Sequence, residues 1–190
     1  MGEAITSYTP QLLQLAQAAL GDEDPEVQSN AAYFIGTLTS ASSQDLSGQY
    51  GPIFASLQNL FALKIDKKET FRARDNACGA IARMILKNRA AVPVDQVLPP
   101  VIAALPLTQD FEPYTPLFEC FFRLAGENDA TLANNLDGLL PVFSKVLQDQ
   151  TTAKDEISQP LAVSTYNRLL ELTRALPADR VQAAGLSQYI

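Results

Sequence analysis

Residues 29–32 read Ser-Asn-Ala-Ala, and residues 75–78 read Asp-Asn-Ala-Cys. In each place a polar pair precedes small residues, at the same position in the second of two successive apolar helical stripes. Counted along the chain, these second helices start near Pro25, Thr70, Asp110 and Lys154. Their separation of about 40–45 residues is the period of HEAT units, in which each repeat is a helical hairpin.

Apolar residues recur at helical spacing in eight successive segments. The cleanest stripe is the third, with Tyr50, Ile53, Phe54, Leu57, Leu60 and Phe61. Gly21, Asp24 and Pro25 separate the first two segments in the order expected for a C-cap, an N-cap and a first helical turn. Pro106 is expected to end the fifth segment, because proline cannot continue a helix comfortably. We therefore predict eight main helices plus a terminal one, and no β-sheet.

The predicted fold is an all-α superhelix, a HEAT- or armadillo-like solenoid of about four helical hairpins plus a terminal helix. The second helices are expected to line its inner, concave wall. The segment from Asp149 to Glu156 is predicted to be a mobile loop, and Ile157 to lie in the eighth helix. Met1-Gly2 and the lack of a polar N-terminal cap suggest a piece of a longer array. The approximate units are 5–42, 46–90, 93–127, 131–176 and a partial unit 178–190 of one array.

Composition excludes several classes of function. The chain has no histidine, which removes catalytic triads, Cys-His dyads and histidine metal sites. With no phosphate-binding motif either, we predict a binding scaffold without cofactor or metal, and not an enzyme. A net charge of −7 argues against nucleic acid as a partner and fits a basic one. No apolar run reaches the ~20 residues of a membrane helix. Cys78 and Cys120 lie in apolar helical patterns and are predicted to be unpaired.

Asn30 and Asn76 occupy matching places on two successive second helices, next to Asp75. Side-chain amides repeated in this way can pair with an extended peptide backbone or with a lysine ammonium. The alternative is a local role, as a helix cap or an inter-helix hydrogen bond.

The next second helix carries acids. Glu112 is expected beside Asn76, where a carboxylate and an amide could hold one lysine, with Tyr114 along the lysine stem. Glu119 lies two turns further into the helix and supports the same pocket. The alternatives are that Glu112 serves the helix macrodipole and that Glu119 pairs with Arg123 four residues on.

The stretch Arg74-Asp-Asn-Ala-Cys-Gly-Ala-Ile-Ala-Arg-Met-Ile85 resembles the C-terminal repeats of importin-β-type karyopherins, especially the importin-four type. Supporting stretches are residues 24–33, 97–101 and 176–181. The Asp75-Asn76 pair is the more specific part, whereas the Leu-rich parts fit any HEAT protein. The resemblance implies a C-terminal fragment of a much longer receptor, ending near its native terminus.

The same resemblance implies a function. The parent receptor would carry basic cargo, such as histones H3 and H4 and ribosomal proteins, past nuclear pore proteins, shuttling between cytoplasm and nucleus. Ran-GTP would release the cargo by binding the N-terminal repeats, so this fragment is expected not to bind Ran-GTP tightly. Asn76 would contact cargo lysines in nuclear localisation segments. The alternative is a HEAT scaffold for the assembly of another complex.

Overall fold

A computed structural model describes residues 7–155 and 158–190. These residues form ten α-helices and no strand, which confirms the predicted all-α class. In chain order the helices are α1 (Thr9–Ala19), α2 (Pro25–Ala41), α3 (Tyr50–Phe61), α4 (Lys68–Lys87), α5 (Val94–Ala104), α6 (Tyr114–Gly126), α7 (Ala130–Asn134), α8 (Leu136–Thr152), α9 (Val163–Arg174) and α10 (Ala178–Ala183).

The long helices form two layers. In one, α3 packs against α5 and α5 against α8; in the other, α2 packs along α4, α4 against α6, and α6 against α9. Contacts between α1 and α2 and between α3 and α4 join the layers within each hairpin. This is the stacking order of a helical-repeat array, in which each unit contacts its neighbours. We refer to α2, α4, α6 and α9 as the second-helix layer.

Local signals in the sequence explain where several helices begin and end. Asp24 caps α2 by accepting a hydrogen bond from the Glu26 backbone N–H at 2.9 Å, with Pro25 as the first helical residue. α5 ends at Ala104 because Leu105 is extended before Pro106. Gly21 does not serve as the predicted C-cap of α1. The cap residue is Leu20, in a right-handed helical conformation, and Gly21 does not adopt a left-handed one.

The core is continuous through both layers. Its largest aromatic group centres on the fully buried Phe118 of α6, which contacts rings from α6 and α8 at centroid distances of 5.8–6.1 Å. Those rings belong to Tyr114, Phe121, Phe122 and Phe143. The predicted stripe of α3 is likewise buried from Tyr50 to Leu60 on one face. Every helix of the described residues is too short or too polar to span a bilayer.

The C-terminal third differs most from the prediction. The short helix α7 was not predicted, and α8 continues through Asp149 to Thr152, where a loop was expected. α9 begins at Val163 and not near Lys154. The buried Gln150 holds the irregular segment before α9: its side-chain amide donates to the Leu161 carbonyl and accepts from the Leu161 N–H. Glu156 and Ile157 lie outside the described residues.

Both cysteines are free and buried, as predicted. Burial raises the pKa of the Cys120 thiol to about 12 and also raises the pKa of the Cys78 thiol, so neither forms the reactive thiolate near neutral pH.

We expect the folded protein to show almost no reaction of its two cysteines with a disulfide reagent at pH 8 over several minutes. After unfolding in guanidinium, two thiols per chain should react. Rapid labelling of the native protein, or a chain two mass units lighter, would contradict this.

Candidate partner-binding face

The carboxylate of Asp75 anchors the loop between α5 and α6 to α4. The Asp75 side chain is fully buried, and its Oδ2 accepts hydrogen bonds from the backbone N–H groups of Thr108, Gln109 and Asp110, at 3.1, 2.8 and 3.1 Å. Burial raises the pKa of Asp75, and the three backbone bonds oppose that rise. One acid of the second repeat therefore fixes the loop of the third.

Asn76 and Asn30 occupy different environments despite their matching sequence positions. Asn76 is 3% exposed, and its Nδ2 donates to the hydroxyl of the buried Ser29 on α2 at 3.1 Å. This is the inter-helix hydrogen bond that was the alternative reading of its role. Asn30 is exposed on α2, where it lines a shallow groove between α1 and α2 together with Phe34.

Glu112 is held by an arginine from the preceding second helix. Both of its carboxylate oxygens accept from Nη2 of Arg83, at 2.5 and 2.6 Å. The Arg83 guanidinium also lies over the Tyr33 ring, 5.6 Å from its centroid. Since Tyr33, Arg83 and Glu112 belong to α2, α4 and the entry to α6, this one cation joins three successive units.

Two glycines make room for Arg83. A Cβ at Gly79 would lie 2.8 Å from Pro113 Cβ and 3.1 Å from Arg83 Nη1, and a Cβ at Gly36 would lie 2.8 Å from Ala80 Cα. Because α2, α4 and the start of α6 approach so closely, the Arg83 side chain is only 11% exposed. The Glu112 side chain remains half exposed.

Tyr114 is 3% exposed and belongs to the core. Its hydroxyl accepts from the Leu107 N–H at 3.1 Å, and Phe111 stacks on its ring at 6.1 Å. Burial raises the pKa of Tyr114, so it stays neutral. Tyr114 and Asp75 thus hold the same loop from two sides, and Tyr114 presents no free face to a lysine stem.

Glu119 pairs across helices and not with Arg123. Its two oxygens accept from Nη1 of Arg168 on α9, and the Arg168 guanidinium lies 4.3 Å from the centroid of the Phe122 ring. Arg123 instead donates to Glu127 at 2.8 Å and to the Leu86 carbonyl at 2.8 Å. The alternative considered for Glu119, an i,i+4 pair with Arg123, is therefore not what the structure shows.

The six predicted site residues divide into a buried group and a surface group. Asp75, Asn76 and Tyr114 are buried and fix helices and a loop, whereas Asn30, Glu112 and Glu119 reach the surface of the second-helix layer. Sequence reasoning missed Arg83 and Arg168, the residues that neutralise the two acids. Their partners lie 29 and 49 residues away, so no local spacing could reveal the pairs.

No group of three or more side chains that could ligate a metal occurs in residues 7–155 and 158–190. What the second-helix layer offers is therefore a surface of paired arginines and glutamates beside aromatic rings, which suits recognition of a charged polypeptide.

Comparison with known proteins identifies relatives of one kind. The chain is 44% identical over 170 residues to a probable importin subunit beta-4 of Schizosaccharomyces pombe. It is 26% identical over 188 residues to human importin-4 and 26% identical over 166 residues to mouse importin-4. These matches cover 87–96% of the chain but only 15–17% of the relatives. No protein-family profile matches the chain.

Proposed function

Because this chain is homologous to one segment of the importin-4 type of importin-β proteins, we propose that it is the cargo-binding portion of a nuclear import receptor for basic proteins. The observation that carries the proposal is the 44% identity over 89% of the chain to a protein named as an importin. A net charge of −7 supports a basic partner. The cargo would be lysine-rich nuclear localisation segments, with histone tails and ribosomal proteins as candidates.

We assign the exposed acids Glu112 and Glu119, with Asn30 at the end of the layer, to direct contact with cargo. The Glu112 side chain is 50% exposed and the Glu119 side chain is 38% exposed, so a cationic side chain can approach each of them. Asp75, Asn76 and Tyr114 act beneath this surface, by fixing the loop and the helix that carry Glu112. The remaining partners of the receptor, Ran-GTP and nuclear pore proteins, would bind elsewhere on the parent protein, which works in cytoplasm and nucleus without enzymatic activity.

The test is a calorimetric titration with a lysine-rich histone-tail peptide and an acidic peptide of the same length. We expect Glu119→Gln to weaken binding of the basic peptide about tenfold, because it removes one negative charge from the surface while Arg168 keeps its positive charge. Acetylation of the peptide lysines should weaken binding by a similar factor, and raised salt should weaken it further.

Asp95→Asn provides the matched control. Asp95 is exposed on α5, in the other layer, so the substitution removes one negative charge without touching the proposed surface. Its effect should stay below about twofold. Equal affinity for the basic and acidic peptides, or equal losses from both substitutions, would overturn the proposal and favour a scaffold for a partner of another kind. Sub-micromolar Ran-GTP binding by this chain would contradict the assignment of Ran to other repeats.

A further inference from the structure

The surroundings of Arg168 form a small receptor for a guanidinium group. Glu119 and Phe122, both on α6, lie on two sides of the Arg168 head group: the carboxylate receives Nη1, and the ring centroid lies 4.3 Å from the guanidinium carbon. A planar cation can stack on an aromatic face while its edge donates to a carboxylate. We call Glu119 and Phe122 the α6 niche.

Arg168 occupies this niche close to solvent, since the Arg168 and Glu119 side chains are 47% and 38% exposed. In this pair, as in Arg83–Glu112, one guanidinium nitrogen donates to both carboxylate oxygens. The two pairs differ in burial, because Arg83 is 11% exposed and enclosed where Gly79 approaches Pro113. A solvent-exposed ion pair adds little to stability, so the Arg168 pair can be exchanged at little cost and the buried Arg83 pair cannot.

A displaced Arg168 has a second acceptor nearby. Glu171 lies three residues further along α9, on the neighbouring position of the helix surface, and it is exposed. Within residues 7–155 and 158–190, Glu171 makes no ion pair. Arg168 can therefore leave Glu119 without losing a carboxylate partner.

We propose that the α6 niche is the arginine-selective site of this surface, closed in the free protein by Arg168 and opened when an arginine of a basic polypeptide takes its place. Arg168 then acts as a built-in competitor that sets how strong a basic segment must be to bind. This inference rests on the proposed function, and it names arginine, in addition to lysine, as a residue that the partner presents.

The experiment measures binding of hexa-arginine and hexa-lysine, each capped at both ends, to the whole chain. Arg168→Lys keeps the net charge but replaces the stacked guanidinium by an ammonium, which competes less well. We expect hexa-arginine to bind about threefold tighter than to the wild type. Arg168→Gln should raise its affinity about tenfold, and the gain for hexa-lysine should be about threefold at most.

Arg174→Gln is the matched control, since Arg174 is exposed on the same helix and its loss changes the net charge equally. It should improve binding of both peptides by less than threefold. In the Arg168→Gln background, Phe122→Leu should abolish the preference for arginine while keeping binding of hexa-lysine. Thermal unfolding followed by circular dichroism checks each variant for an intact fold.

The outcomes separate the two proposals. Equal gains for both peptides in Arg168→Gln and Arg174→Gln, with no gain in Arg168→Lys, would overturn the arginine site and leave basic-segment binding in place. No binding of either peptide to the wild type or to any variant would overturn both. Tighter hexa-arginine binding in Arg168→Lys, lost again with Phe122→Leu, would support the niche.

Discussion

Replacing Asp75 by alanine is expected to lower the free energy of unfolding by about 3 kcal/mol. The substitution leaves the backbone N–H groups of Thr108, Gln109 and Asp110 without their acceptor in a partly buried loop. Leaving a buried donor unsatisfied costs roughly 1–3 kcal/mol, and the relief of a desolvated charge offsets part of the loss. Urea denaturation at pH 7 measures the effect. A loss below about 1 kcal/mol would show that the loop does not depend on this anchor.

Asp75→Asn is the companion variant, because it keeps one oxygen as acceptor and removes the charge. Burial places the folded-state pKa of Asp75 above the ordinary carboxyl value of about 3.9. The folded state therefore binds this proton more tightly than the unfolded state does. Protonation of Asp75 thus stabilises the fold, an effect that is fully present below the ordinary carboxyl pKa and is lost as the pH rises through the raised pKa. Relative to Asp75→Asn, the wild type should thus lose stability as pH increases above about 4. A pH-independent difference between the two proteins would contradict the raised pKa.

Replacing Gly36 by valine is expected to destabilise the protein by about 3 kcal/mol and to lower the melting temperature by roughly 6–12 °C. Even a Cβ at Gly36 would lie 2.8 Å from Ala80 Cα, a backbone atom, and 3.3 Å from Arg83 Cδ. α2 and α4, which have the most extensive contact of any two described helices, would have to move apart. The contact between Tyr33 and Arg83 would weaken as a result. Differential scanning calorimetry measures the change.

Gly126→Ala is the control for Gly36. A Cβ at Gly126 meets nothing within 4 Å, and Gly126 is exposed in the last turn of α6. Alanine is the better helix former, so this variant should be neutral or more stable by up to about 1 kcal/mol. If Gly36→Val and Gly126→Ala behave alike, the close approach of α2 and α4 is not a source of stability.

Helix positions were predictable where the apolar stripe is long. α3 buries Tyr50, Ile53, Phe54, Leu57 and Leu60 at the spacing read from the sequence. α7 escaped prediction because its five residues bury only Leu132, which is too few for a period. Before the late start of α9, Gln150 bonds Leu161, a contact between residues that periodicity does not relate.

The candidate surface was predictable in its residues more than in its pairings. The asparagine echo placed Asn30 and Asn76 on successive second helices, but the burial of one and the exposure of the other depend on which neighbour packs there. The exposed acids were found, whereas Arg83 and Arg168 were not. Ion pairs between repeats follow from the stacking geometry, which one repeat's sequence does not contain.

Because Asp75 anchors the 108–110 loop, the structure of one repeat unit depends on a residue of its neighbour. The loop that carries Phe111 and Glu112 to the surface takes its shape from an acid belonging to the preceding unit. A unit grafted from this array into another would therefore keep its helices but lose the shape of its own loop, unless the new neighbour supplied a carboxylate at the position of Asp75. Engineered shuffling of such arrays would have to move residues of adjacent units together.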